Sequence, residues 1–210
     1  MNRQGGFTLV EVAIVLVILG LLLGGILKGQ ELIAQAKVKN AIADFSGVSA
    51  AYYGYQDRYR AMPGDDPGAG RWAGATPGDG DRVVGGAYNA LSGAPESRLW
   101  WDHLRRAGFV MGSGGRQPFN ALTGIVGVQS GDAAGASTLG GFSRLIVCST
   151  NLPDKIAGAV DAQMDDGVGT TGTVRALAQS TLHPTIDGTT APAGYVESGT
   201  NVYTLCREVY

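Results

Sequence analysis

Three groups of residues have types and spacings that could do chemistry. The first is at the start, where Gly5-Gly6 stands directly before Phe7 and Glu11 follows four residues later. A cut after Gly6 makes Phe7 a new amino terminus on the same helical face as Glu11. Amine and carboxylate are matched partners. Within one helix the pairing is poor, because the amine sits at the end and Glu11 points sideways; between staggered copies it is good. The second group is Asp65, Asp66, Asp79 and Asp81, carboxylates of the kind calcium takes. The spacing is not that of an EF-hand, since no acid closes the loop after Asp81, and aspartate is also a favoured turn residue. Calcium is thus an option the sequence leaves open, and no other cofactor is expected. The third is Cys148 and Cys206, which most simply form one disulfide if the bulk of the chain lies outside the cytoplasm.

Catalysis finds little support. His103 and His183 lie about 80 residues apart, and neither sits in a motif with a nucleophile. Histidine and cysteine lack zinc-site spacing. No glycine-rich loop follows the phosphate-binding pattern ending in Gly-Lys-Ser or Gly-Lys-Thr. His103 reads as a surface or satisfied histidine, and the chain is not expected to be an enzyme.

The first group needs an element to hold it. From Phe7 to Leu27 run 21 residues with Glu11 as their only charge. As a helix they span roughly 32 Å, against a hydrocarbon core of about 30 Å. A secretory signal peptide has its small-residue cleavage site after the apolar run. Here the small residues come before it, so a cut leaves the apolar run on the mature protein. Glu11 costs about 2.5 kcal/mol or more in lipid unless something neutralises it. An ordinary uncleaved signal anchor leaves both Gly5-Gly6 and Glu11 without a reason.

Gly6-Phe7-Thr8-Leu9-Val10-Glu11 resembles the cleavage and assembly motif of type IV prepilins and type II secretion pseudopilins. The close match covers about the first 25 residues. It implies that prepilin peptidase cuts after Gly6 and methylates Phe7, and that Glu11 pairs with the next subunit's terminus during assembly. The partners implied are other pilin or pseudopilin subunits, the peptidase and an inner-membrane assembly platform. The precursor is then a single-pass protein of the bacterial inner membrane, its head outside the cytoplasm, and later part of a cell-envelope or extracellular filament. Charge does not fix this orientation: Lys28, Lys37 and Lys39, offset by Glu31, face only Arg3 and the amino terminus. A looser resemblance to pilin-like minor proteins lies in the Tyr59–Gly64 segment, followed by Trp100-Trp101-Asp102-His103-Leu104 and then Ala107-Gly108-Phe109.

Composition bounds the remainder. Net charge is −2, with 16 basic and 18 acidic side chains, so nucleic acid is an unlikely partner. The 34 glycines and 8 prolines follow no period, and an apolar fraction of 44% points to a loop-rich folded head. Val38, Ala41, Ile42, Phe45, Val48, Tyr52, Tyr55 and Tyr59 recur at helical steps, and no proline precedes Pro63. One helix over about 7–59 is predicted, with its second half packed on the head. The absence of a proline near Lys28 leans toward the pseudopilin branch.

Pro63–Ala94 reads as an irregular loop, and Pro95–Gly108 as a short amphipathic helix. Strands are predicted over 124–129, 144–149 and 202–209, with a helix over 153–164. The fold expected is α+β: a long N-terminal helix packed on a small antiparallel sheet. The parts are a leader (1–6), an apolar half-helix (7–27), an amphipathic half-helix (28–62) and a loop-rich head (63–210). Three classes of function follow: a structural filament subunit, major or minor; a binding or adhesion module at a filament tip; and, as the weakest, a membrane-anchored extracytoplasmic enzyme.

Overall fold

The structure, a computed structural model, describes residues 8–132 and 137–209. Its first element is one helix, α1, Leu9–Tyr59, 51 residues long. The chain divides into two compact units, Met1–Ala36 and Lys37–Tyr210. In the first, the helix exposes its large apolar residues from Leu9 to Leu27 on every side. Mean hydropathy reaches 2.8 over 18 residues, none of them buried. A helix that is apolar all round is a membrane span or a buried core helix.

Within the second unit the helix becomes one-sided. Val38, Ala41, Phe45, Val48, Ala51, Tyr52 and Tyr55 are buried, the stripe the periodicity predicts, with Ile42 and Tyr59 half-buried at its margins. The helix closes at Arg60, whose amide bonds the Gln56 carbonyl at 2.8 Å and whose φ of 55° is left-handed. Pro63–Ala94 contains only a short 3-10 turn, Pro67–Arg71, as its turn chemistry predicts. Next comes α2, Glu96–Arg106, which buries Leu99, Trp100, Trp101 and Leu104. Tyr52 of α1 stacks on Trp100 at 5.3 Å, joining the two helices.

The sheet has four strands: β1 (Val126–Ser130), β2 (Leu145–Pro153), β3 (Val174–Ala178) and β4 (Val202–Glu208). Their order is β1-β2-β4-β3, all antiparallel. Helix α3, Asp154–Met164, leads from β2 toward β3. The three predicted strands are present; β3 was not among them, since Val174-Arg-Ala-Leu-Ala has little β-branched content. Asn151, at φ 64°, sits where the β2–β4 register shifts, a position that asparagine tolerates. The α+β layout is as expected.

Cys148 and Cys206 face each other across β2 and β4 and are bonded, closing a loop of 58 residues. The bridge lies in the core among Tyr88, Ile125, Phe142 and Ile146. In the chain-entropy account a loop of this length contributes about 4 kcal/mol. Reduction, or the Cys148→Ala/Cys206→Ala pair, should lower unfolding stability by roughly 2–4 kcal/mol, read as a fall in the denaturant midpoint.

Candidate assembly site

At the start of α1 the local structure follows from three residues. Thr8 lies just before the first helical residue, and its hydroxyl accepts from the Glu11 amide at 3.3 Å. Glu11 reaches back, its Oε2 accepting from the Thr8 amide at 3.0 Å and the Thr8 hydroxyl at 2.9 Å. This is a reciprocal capping box, with threonine at the N-cap and glutamate three residues on. It corrects one expectation. An uncleaved helix would also have a use for Glu11, so the carboxylate alone does not argue for cleavage. The Thr-x-x-Glu spacing was visible in the sequence and could have disclosed the box. Gly6 and Phe7 lie outside the described residues.

The four aspartates read as one candidate cation group separate in space. Asp66 is buried and turns toward α1, where Tyr55 donates to its Oδ2 at 2.6 Å and Arg71 at 2.7 Å. The Gly68 amide donates to Oδ1 at 2.7 Å. Burial alone would raise the Asp66 carboxyl; Arg71, Tyr55 and Gly68 together hold it below the usual range. Asp65, Asp79 and Asp81 instead gather with Glu96, each offering an oxygen within 4.8 Å of the others. Asp65 accepts the amides of Gly80, Asp81 and Arg82, and Glu96 those of Asp79 and Gly85. These carboxylates fasten the irregular loop. Glu96 stands 17 residues from Asp79 in the chain, and only the fold brings the two together.

His103 is fully buried. Its Nδ1 accepts the Gly64 amide at 2.9 Å, and its Nε2 lies 2.9 Å from the Thr76 carbonyl, so the neutral ring carries its proton on Nε2. Gly64 has φ +84°, and a Cβ there would lie 2.4 Å from the Glu96 carbonyl, so only glycine fits. His183 stands apart, its Nδ1 3.0 Å from the Thr150 hydroxyl. These histidines tie loops to α2 and β2.

A family model described as the prokaryotic N-terminal methylation motif matches residues 1–27. That motif marks type IV prepilin-like and pseudopilin proteins. No curated protein and no solved structure matches the chain. The match supports a pilin- or pseudopilin-like subunit of the kind prepilin peptidase processes, and with the apolar helix it fits a membrane-anchored precursor.

Two outcomes test the network. Asp66→Ala leaves the Tyr55 hydroxyl and Arg71 without their partner, and should cost roughly 2–4 kcal/mol in denaturant unfolding. For His103, burial holds the pKa below its ordinary value. The unfolded ring therefore binds a proton first. Its stabilising contribution is complete above about pH 6.5 and is lost as pH falls through the lower, folded pKa. A His103→Gln chain should show a shallower loss of thermal stability than the parent as pH falls below about 6.5.

Proposed function

We propose that this chain is a structural subunit, a minor pilin or pseudopilin, of a type IV pilus-like or type II secretion filament. In this reading prepilin peptidase removes Met1–Gly6 and methylates the Phe7 amine. The apolar half of α1 then holds the precursor in the inner membrane, and in the filament it packs laterally against the same segment of other copies. The observation that carries the reading is the methylation-motif match over residues 1–27 on a helix exposed and apolar from Leu9 to Leu27. Nothing within the described first unit covers that surface, and in water it would cost about 25 cal/mol per Å² to leave it bare.

Glu11 has two tasks in this scheme. In the lone subunit it caps the helix through Thr8. Its carboxylate keeps lone pairs free for the methylated amine of a neighbouring copy. The two tasks separate chemically, because glutamine at the third helical position still closes a capping box but carries no charge. Valine does neither.

Mass spectrometry of the mature protein should find Met1–Gly6 absent and one methyl added at Phe7. Glu11→Val and Glu11→Gln chains should both insert into membranes, and both should enter filaments at least tenfold less than the parent in sheared-filament or secretion-piston fractions. Full incorporation of the Gln chain would limit Glu11 to capping. An intact Met1 in cells containing the peptidase would sink the maturation claim.

A further inference from the structure

Helix α1 pairs some of its charges within itself and leaves others bare. Lys28 meets Glu31 at 2.6 Å and Arg60 meets Asp57 at 3.6 Å, in each case three residues apart. Between these pairs stand Lys37, Lys39 and Asp44, which have no such partner. On a helix surface, acid and base meet when three or four residues separate them. Around Asp44 those steps hold Asn40, Ala41, Gly47 and Val48, and neither lysine has an acid at its own. No ion pair among the described residues reaches any of the three.

Asp44 is the costly member. Its Oδ2 is sealed from solvent without a hydrogen-bond partner, yet the residue is only half-buried, so its carboxylate stays open on one side. Burial pushes the carboxyl above its ordinary range. A partly desolvated carboxylate without a counter-charge is unfavourable. Lys37 and Lys39 are exposed.

A second copy can supply what the first lacks. In the filament-subunit reading, the Phe7 amine of one copy meets Glu11 of another. That is a shift of four residues, about 6 Å along parallel helices. Carried along α1, the same shift sets residue 40 of one copy level with Asp44 of the other. Lys39 then lies about 1.5 Å from that level, and Lys37 about 4.5 Å. The four-carbon stem of lysine spans the gap between the helices.

The helical turn separates the two lysines further. At about 100° per residue, Lys39 and Asp44 stand roughly 140° apart around α1, whereas Lys37 and Asp44 differ by about 20°. One copy can therefore offer Asp44 to one neighbour and Lys39 to another, a head-to-tail contact that repeats without closing. Lys37 shares the side of Asp44 and cannot serve both ways. Without the shift, like charges would stand level with each other, so the pair also selects the stagger.

We propose that Asp44 of one copy pairs with Lys39 of a second copy and fixes the stagger of neighbouring α1 helices. This pairing rests on the filament-subunit reading and adds to it a contact beyond the apolar half of α1.

Fibres sheared from cells that carry two differently tagged copies of the full chain provide the test. One copy carries Lys39→Cys and the other Asp44→Cys; both native cysteines are in the disulfide, so the introduced thiols are the reactive ones. A short bismaleimide should join the two tags in fibres, with at least fivefold more product than from Lys37→Cys with Asp44→Cys. In separate strains, Asp44→Lys and Lys39→Asp should each lower incorporation at least fivefold, and the double exchange should restore it to within about twofold of the parent. Where Asp44→Lys does not fold, the exposed Lys39→Asp variant and the cross-link decide. Fibres that form without the cross-linked product overturn this pairing alone. So does an equal yield from Lys37→Cys, or a folded double exchange no better than Asp44→Lys. A parent chain that enters no fibre takes down the subunit reading and this pairing with it.

Discussion

One uninterrupted backbone ladder, Leu9 to Tyr59, has to serve two surroundings. A helix satisfies its own amides and carbonyls, so it can pass between lipid and water without changing its backbone. What must change is the side-chain pattern. Up to Leu27 the sequence is apolar all round, with no face to prefer. After Lys37 it becomes a stripe three or four residues apart, ending in the aromatic pair Tyr52 and Tyr55. The first pattern suits a surrounding that is apolar in every direction, the second a single packed contact. Gly20, Gly24, Gly25 and Gly29 crowd the first stretch, and a Cβ at any of them would meet nothing within 4 Å. They are not needed for packing inside the subunit, and each weakens the helix by about 1 kcal/mol relative to alanine.

The head answers a different problem. Pro63–Ala94 has almost no regular structure, so its backbone amides find no ladder and must be matched otherwise. Buried Asp65 and Asp66, with half-buried Glu96, supply the acceptors. Asp65 takes three amides, Glu96 two, and His103 holds Gly64. Asp66 does the same at Gly68 while anchoring Tyr55 of α1. Acidic residues that resemble a ligand set in one dimension therefore act in three dimensions as substitutes for a strand. The same economy runs at α3, where Asp154 takes the amides of Ser198 and Gly199.

Legibility in the sequence followed the range of the interaction. Elements set by local rules could be read: α1 from its periodicity, α2 from Pro95 and Gly108, and the irregular segment from its Pro-Gly-Asp turns. The disulfide was legible because only two cysteines exist. Strand β3 was not, since its five residues form a strand by pairing with β4, and only tertiary context makes Ala176 a core residue. The division of the aspartates was likewise hidden. Asp65 and Asp66 are adjacent in the chain, yet one faces the 79–82 loop and the other α1, and only the fold decides which. The box of Thr8 and Glu11 is the opposite case, a local rule overshadowed by a longer-range idea about the same carboxylate.

That overlap bears on how such a carboxylate could act in a filament. A glutamate free in lipid would be a heavy liability while the subunit waited alone. Closing onto Thr8 gives Glu11 two neutral donors at once and matches the Thr8 and Glu11 amides at the start of the helix. The box cannot neutralise the charge, so an attraction for an amine persists. A cation arriving from a neighbour gains the Coulomb interaction without first having to break the cap, because each carboxylate oxygen accepts more than one bond. Under the proposed assembly role, the waiting state would thereby be tolerable and the paired state lower still. That is the ordering a subunit needs if it is to stay in a membrane and yet be drawn into a fibre.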